Sequence, residues 1–398
     1  AFPPPPPARS TPPGMATAPS AETAPPHGHG VAASERLLAL DALRGFVMFW
    51  ILGADTIGHA LAHLQAGPVM AFIARQLEHV EWEGFRFYDA IFPRLVFVIG
   101  VGIDFCLDRL VACGGRGVAV FVFFFFFFLL YALGLFYYGG IAGGLEGIRW
   151  VGVLQRLAFC YFFAGLAFIY LTPRGQVALC AGLLVGYWAL LTFVPVPGTG
   201  AVSFDGGKNM GNWFPLPYLP GRKWNGTHVP EGVLSTLPAV ASCLLGVFAG
   251  RWLQRRDVPE TTRLAKLAVA GVAAILAGPL WGLQFPVIKQ LWTSSYVLVA
   301  GGWSALLLAG FCWVIEVRQR RGWALPFVWI GANALAIYLL RTVIPFAKIS
   351  ERFAGDGVQV FLDGLVPGLG DVVLALVGMG LCVWVCWFLY RRKLFIRL

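Results

Sequence analysis

Charged side chains are scarce in this chain. Asp, Glu, Lys and Arg make up 13% of its 398 residues, whereas 58% of the residues are hydrophobic. A typical soluble domain carries about 25% charged residues, so this composition excludes an ordinary soluble protein. The mean hydropathy of +0.72 points the same way. The sequence therefore predicts a polytopic integral membrane protein.

The sequence also lacks segments in which apolar and polar residues alternate. Its apolar runs are about 20 residues long, which is the length of a helix that crosses a bilayer. Because lipid offers the backbone no hydrogen bonds, only helices and closed barrels span it, and the absence of alternation excludes a barrel. We therefore predict an all-α fold of about ten transmembrane helices, at residues 37–64, 92–107, 119–138, from 150 onwards, 177–194, 232–253, 264–283, 291–317, 325–344 and 372–390.

No disulfide framework or metal-ligand spacing is visible among the eight cysteines. Cys106 and six others fall within apolar segments, so we interpret them as small buried residues. His59 and His63 lie four residues apart and could share a metal with His79. No further ligand pattern accompanies them, so we expect no metal site.

Composition also divides the chain into a tail and a membrane domain. Residues 1–34 are rich in proline and poor in large apolar side chains, which predicts a disordered tail. Residues 35–398 form one transmembrane domain. Within it, residues 195–231 contain no helical periodicity but five aromatic side chains, which favours a functional external lid over a disordered loop.

The formal charge of +10 is distributed in short basic groups between apolar runs. This pattern indicates the positive-inside rule rather than a nucleic-acid partner. The rule predicts that both termini are cytoplasmic, and it places His79, Asp89 and the long loop on the external side.

One stretch concentrates polar chemistry at the start of an apolar helix. It reads HVEWEGFRFYDAIFPRLVFVIG, from His79 to Gly100. A histidine at the rim of a membrane cavity can take up and return a proton near neutral pH, because its unperturbed pKa is about 6.5. Asp89 either orients this imidazole or caps the following helix.

Six segments of the chain together resemble the catalytic membrane domain of the heparan-alpha-glucosaminide N-acetyltransferase family and its bacterial relatives. They are this stretch, LDALRG, GVLQRLAFCYFFA, VPEGVLSTLPAVASCLLGVFAG, FPVIKQLWTSSYVLVAGG and GANALAIYLL. The resemblance runs from about Arg36 to the C-terminus. It implies transfer of an acetyl group from cytoplasmic acetyl-CoA, the co-substrate, to the amine of a glucosamine-type sugar or glycoconjugate outside. We expect a bacterial cytoplasmic (inner) membrane, with lipid as a partner.

The resemblance implies that His79 is the active-site histidine, because it precedes Trp82, Gly84 and, ten residues on, Asp89. His79 would act as a base or as an acetyl carrier, since acetyl transfer to an amine needs a group that removes an ammonium proton. Both routes stay open. The implied substrate site also includes Trp82.

Three positions depart from the family pattern. Asp55 stands where relatives have asparagine, Arg94 where they usually have an apolar residue, and Val229 where an acidic residue often precedes the proline. Asp55 is costly to bury unpaired, so it either binds the substrate ammonium or pairs with Arg156 or Arg341. We include Asp55 among the candidate catalytic residues.

Two further polar residues are substrate-binding candidates. Glu231 precedes the sixth span and is expected to cap it, with substrate contact as the alternative. Asn333 lies inside the ninth span, where it must form a hydrogen bond, either between helices or to the substrate.

The phosphate groups of CoA would lie among cytoplasmic cations. The candidates are Arg44, Arg109, Arg251 and Arg318, with Asp41 three residues before Arg44 on the same helix face. The alternative role of each arginine is a positive-inside anchor.

Two other functions remain open. The first is an amino-sugar permease without chemistry, which broken helices in two matching halves would favour. The second is a degenerate relative that only binds ligand, which Asp55 and Arg94 permit. The oligomeric state, monomer or homodimer, is also open.

Overall fold

A computed structural model describes residues 37–395, apart from 65–66, 141, 143, 215–230 and 356, and leaves out the side chains of 108, 109 and 145. The predicted tail, residues 1–34, lies outside this range. The α-helices are α1 Leu38–His63, α2 Pro68–Leu77, α3 Ile91–Tyr137, α4 Gly144–Gly147, α5 Val153–Tyr170, α6 Pro173–Phe193, α7 Met210–Trp213, α8 Val233–Leu253, α9 Glu260–Gly282, α10 Ser294–Cys312, α11 Leu325–Ala332, α12 Ala334–Val343, α13 Phe346–Ala354, α14 Gly357–Leu365 and α15 Leu369–Arg391. Short 3-10 helices span Phe87–Ala90 and Gly322–Ala324, and a π-helical turn spans Trp313–Val317.

The prediction of an all-α membrane fold is confirmed. Within the described residues, nine helices are long and apolar enough to cross a membrane. A tenth span arises if the bent pair Gly322–Ala332 and Ala334–Val343 is one crossing. The fold is therefore that of a polytopic membrane protein with nine or ten spans.

The ninth predicted span is broken at Asn333. Its two halves meet at an angle of 66°, and Asn333 has φ −128° and ψ 29°. Asparagine favours such breaks because its short polar side chain competes for backbone hydrogen bonds. The continuous helix predicted for residues 325–344 is therefore wrong.

The connection between the second and third spans is shorter than predicted. α3 consists of two helices joined at a kink at Gly115, where φ is +74°, a value that suits glycine. The stretches Phe87–Leu107 and Leu110–Tyr137 are each long and apolar enough to cross a membrane, as predicted. The third span faces outward as predicted: Phe121 and Phe125 are 69% and 55% exposed.

Shorter helices were not predicted from the sequence. They are α2, α4, α13, α14 and, within the predicted long loop, α7. α7 forms because the Asn209 side chain accepts a hydrogen bond from Asn212 N and so caps the helix. Residues 215–230 of that loop lie outside the described range.

Glycines let the helices that surround the site approach closely. A Cβ atom on Gly45 would lie 1.7 Å from the Phe327 carbonyl oxygen, so α1 and α11 cross in contact there. A Cβ atom on Gly246 would lie 2.0 Å from the Phe97 carbonyl oxygen, which brings α8 against α3. These crossings fix the positions of α1, α3 and α8.

One of the cysteines does not follow the prediction. Cys106 is exposed and lines a cavity, whereas Cys382 and Cys386 are buried as expected. Position within an apolar segment predicts contact with an apolar environment, but it does not distinguish packed protein from a cavity wall.

Candidate active site

The His79 segment is fixed against the loop between α9 and α10. Glu83 forms an antiparallel bridge with Ile288, and Gly84 N donates a hydrogen bond of 2.9 Å to Val287 O. Gly84 adopts φ +124°, which L side chains rarely reach. The Gln290 side-chain amide donates to Glu81 O at 2.9 Å. The two loops therefore form one unit beside the His79 ring.

Asp89 performs both roles that the sequence left open. Its Oδ1 atom lies 2.9 Å from His79 Nδ1. Its Oδ2 atom accepts hydrogen bonds from Arg86 N at 3.0 Å and Val80 N at 3.3 Å, so it also caps the 3-10 helix that precedes α3. The Asp89 side chain is only 1% exposed, which keeps it in place.

The contact with Asp89 favours one tautomer of the imidazole. Two lone pairs at 2.9 Å would repel, so we assign the proton to His79 Nδ1, which then donates to Asp89. Lys289 Nζ, 2.7 Å from the same nitrogen, acts against this assignment while it is an ammonium donor. His79 Nε2 then carries the lone pair. The ring stacks on Tyr88, with centroids 4.3 Å apart and an interplanar angle of 10°, and 48% of the His79 side chain is exposed. The site thus presents an oriented base to the cavity.

Lys289 is a neighbour of this pair that sequence reasoning missed. Its Nζ atom lies 3.1 Å from His79 Nε2, 2.7 Å from His79 Nδ1 and 3.4 Å from Asp89 Oδ1. Burial lowers the pKa of the Lys289 ammonium, while the Asp89 carboxylate partly opposes this effect. Lys289 belongs to the quoted segment FPVIKQLW, but nothing local in that segment indicates that it faces His79.

A cavity of about 630 Å³ opens at His79. It is lined by four of the predicted site residues, His79, Asp55, Trp82 and Glu231. Asp89 lies behind the imidazole. Asn333 is fully buried at the break between α11 and α12 and is not part of the cavity wall, and its predicted contact with substrate stays a prediction.

Asp55 faces this cavity from α1. Its carboxylate lies near the Tyr88 hydroxyl group, with which it interacts electrostatically. The two arginines proposed as partners are directed elsewhere: Arg156 donates to Ser235 Oγ, and Arg341 donates to Ile51 O at 3.1 Å. Of the two roles predicted for Asp55, its position therefore favours an ammonium contact.

Trp82 forms the part of the wall nearest the long loop. Its indole nitrogen donates to Phe204 O at 2.9 Å, and a Cβ atom on Gly206 would lie 3.3 Å from the Trp82 ring. Gly206 and Gly207 line the cavity as well. The described part of the loop therefore contributes to the cavity wall, and its role as a lid stays a prediction.

Glu231 does not cap α8, so that prediction is wrong. The N-cap residue is Gly232, and no side chain caps this helix. The Glu231 carboxylate instead accepts a hydrogen bond of 2.8 Å from Arg149 Nη2, and this guanidinium lies 4.2 Å from the centre of the Tyr138 ring. The Glu231 carboxylate therefore pairs with the positive charge of Arg149 and not with the helix dipole.

A second cavity of about 380 Å³ adjoins the first, because Ile51, Val153 and Tyr338 line both cavities. The walls of the second cavity are mainly aliphatic and aromatic, and Arg44 lies among them. Along α1, Arg44 and Asp55 are eleven residues apart, or about 16 Å at 1.5 Å per residue.

Only some of the predicted CoA ligands lie at this cavity. Arg44 lines it and pairs with Asp41 at 3.7 Å. Arg251 lies 3.7 Å from Asp104, and the Arg318 guanidinium stacks 4.7 Å from the Trp313 ring; neither lines the cavity. The side chain of Arg109 lies outside the described part of the chain.

Arg94 is buried away from both cavities. Its side chain is 2% exposed, and its guanidinium lies 5.8 Å from the centre of the Phe87 ring. Because Arg94 contributes to neither wall, this departure from the family pattern leaves the described walls of the site unchanged.

Comparison with known proteins adds independent information. No family model matches the chain. The chain is 24% identical to the heparan-alpha-glucosaminide N-acetyltransferase of Mus musculus over 380 residues, which cover 80% of this chain and 56% of that protein. It is 25% identical to the Homo sapiens protein of the same name over 385 residues, 80% of this chain and 55% of that protein. The chain thus spans about half the length of the curated relatives it matches.

Proposed function

We propose that this chain, a distant relative of the heparan-alpha-glucosaminide N-acetyltransferase family, transfers an acetyl group from acetyl-CoA to an amine across the membrane. The acceptor is a glucosamine-type sugar or glycoconjugate on the external side. The host membrane is a bacterial cytoplasmic membrane, with both chain termini inside.

The observation that supports this proposal is that two cavities adjoin inside a membrane domain. One is lined by His79, which contacts Asp89, and by carboxylates; the other is mainly apolar and includes Arg44 in its wall. A pantetheine arm needs a narrow apolar passage, and the CoA phosphates need a cation at its entrance. Arg44 is the candidate for that contact.

The His79 pair can catalyse the transfer without other groups. The acceptor nitrogen attacks the thioester carbonyl carbon, the new C–N bond forms, and His79 Nε2 takes the proton that the nitrogen loses. The C–S bond then breaks, and the CoA sulfur leaves as a thiolate that receives this proton from the imidazolium. Asp89 stabilises the imidazolium through Nδ1.

Two charged residues would assist this reaction. The Asp55 carboxylate faces the cavity and would hold the acceptor as its ammonium, which first loses one proton to water to give the free amine; the second proton, lost on attack, is the one that His79 Nε2 takes. The Lys289 ammonium, 3.1 Å from His79 Nε2, would donate to the carbonyl oxygen as negative charge develops there.

The proposal is tested with purified protein in sealed vesicles. Acetyl-CoA carrying a labelled acetyl group is supplied on one side, and glucosamine on the other. We expect labelled N-acetylglucosamine on the glucosamine side. Uptake of glucosamine or N-acetylglucosamine without any CoA requirement would instead identify the protein as a permease, and the proposal would be rejected.

The lowered pKa of Lys289 predicts how activity depends on alkaline pH. The ammonium should lose its proton below the ordinary lysine value of 10.5, so the transfer rate should fall with rising pH before that value is reached. Lys289→Arg should extend activity to higher pH, since arginine keeps its proton up to a pKa above about 12. The measurement is the initial rate of transfer against pH for both proteins.

Lys208→Arg is the matched control, because Lys208 is exposed and lies outside both cavities. It should reproduce the wild-type profile. An alkaline limb that is the same in Lys289→Arg and the wild type would show that Lys289 does not carry the relevant proton.

A further inference from the structure

We propose that the acceptor amine is carried on a lipid anchor whose hydrocarbon chain lies in a groove between α5, α6 and α8. This inference rests on the proposed acetyl transfer and specifies its substrate class. It follows from a third cavity that the transfer mechanism does not use.

The groove has a volume of about 610 Å³ and runs along one face of α5. It is lined there by Gln155, Phe159, Phe163, Leu166 and Tyr170, which recur at the spacing of one helix face. The separation of 15 residues between the first and the last corresponds to about 22 Å. This exceeds half of the roughly 30 Å hydrocarbon thickness of a bilayer.

The groove is apolar and opens towards the bilayer. Phe163, Tyr170 and Leu237, which line it, are 46%, 63% and 41% exposed. Such a surface on a membrane-spanning helix is covered by apolar groups rather than by water. These groups belong to bulk lipid, to a second copy of the protein or to the substrate.

The end of the groove that is formed by Arg156 and Glu231, called its upper end below, favours a chain that belongs to the substrate. Arg156 and Glu231 line both the groove and the catalytic cavity. The Arg156 guanidinium donates to Ser235 Oγ and lies 4.7 Å from the centre of the Trp292 ring, which is itself part of the catalytic cavity wall. The groove therefore ends against the same two side chains that border the acceptor site.

An amphiphile fits this arrangement better than bulk lipid does. Its chain would occupy the apolar groove, and its polar head would lie among the charged and polar groups at the upper end, which are Gln155, Arg156, Glu231 and Thr236. From there the amine has to pass only the Arg156 and Glu231 side chains to reach the cavity that contains His79. Entry from the bilayer would also confine the acceptor to the membrane plane and so raise its local concentration.

The test compares methyl and dodecyl glucosaminide as acceptors for the protein in lipid nanodiscs with acetyl-CoA. The wild type should have a kcat/KM about tenfold or more higher for the dodecyl compound. Leu237→Trp, which fills the groove, should reduce that ratio to nearly one while the rate with the methyl compound stays unchanged. Leu276→Trp is the matched control, because Leu276 is 63% exposed on α9, away from the groove, and it should keep the wild-type ratio.

Each outcome has one meaning. Acetylation of neither acceptor by the wild type rejects the proposed function itself. Acetylation of both at equal kcat/KM, or a chain preference that Leu237→Trp retains, overturns the lipid anchor and assigns the groove to bulk lipid or a second copy of the chain. If Leu237→Trp loses activity with both acceptors through misfolding, Leu166→Trp, which fills the groove from α5, replaces it.

Discussion

His79→Gln should lower the rate of acetyl transfer by about 10³-fold or more. Glutamine keeps a polar side chain of similar reach, but it has no atom that accepts a proton near neutral pH, and general-base catalysis contributes about 10²–10⁴-fold. The side chain is half exposed and its ring contacts Tyr88, so its loss should leave the fold intact. The measurement is single-turnover formation of labelled N-acetylglucosamine at saturating acetyl-CoA.

His59→Gln is the control, because His59 is exposed on α1 and lies outside both cavities. It should retain the wild-type rate. Binding of acetyl-CoA should be preserved in His79→Gln, since the proposed CoA contacts lie at Arg44. A variant at position 79 that transfers acetyl at more than about a tenth of the wild-type rate would contradict general-base catalysis by this residue.

Asp89→Asn should have the next largest effect, a loss of about 10²–10⁴-fold in kcat. An amide at this position can donate its own N–H to His79 Nδ1, and the ring would then carry its proton on Nε2 and cease to be a base there. An amide also cannot stabilise the imidazolium by charge. Because the oxygen of the introduced amide can still accept the hydrogen bond from Arg86 N, the cap that precedes α3 is preserved.

The informative readout for Asp89→Asn is kcat together with the KM for both substrates. A positioning residue that acts through His79 should reduce kcat and leave both KM values within about threefold. Asp257→Asn, at an exposed carboxylate that pairs with Arg255, is the matched control and should change neither parameter. Equal loss of kcat in the Asp257 variant would indicate a general effect of charge on the preparation.

The class of fold and the central pair were readable from the sequence. The length of the apolar runs distinguishes transmembrane helices from a barrel. The ten-residue interval between His79 and Asp89 predicted a base and a carboxylate near the start of one helix. The sequence did not show that a sharp turn at Gly84 folds the segment back. Because of this turn, one Asp89 oxygen contacts the imidazole while the other caps the helix.

Residues distant in the chain were the ones that sequence reasoning placed poorly. Lys289 reaches His79 across 210 positions because backbone pairing at Glu83 and Ile288 brings the two loops together. Glu231 pairs with Arg149, 82 positions away, instead of capping the next helix. Local spacing carries no information about either contact, since both depend on which loops the packed helices bring side by side.

The break at Asn333 shows a different limit. Hydropathy averages over a window, so a single residue that bends the backbone leaves the average almost unchanged, and residues 325–344 register as one span. The same insensitivity explains why Cys106, in an apolar segment, was expected inside packed protein although it lines a cavity.

The junction of the two cavities has a consequence for the energetics of the host cell. The residues that line both cavities are Ile51, Val153 and Tyr338, and their mainly apolar side chains offer hydrated ions little to replace their water. An apolar constriction excludes water and small ions by dewetting. Under the proposed function, a thin, uncharged arm would enter and withdraw at these residues, so acetyl groups would cross the membrane without a leak of protons.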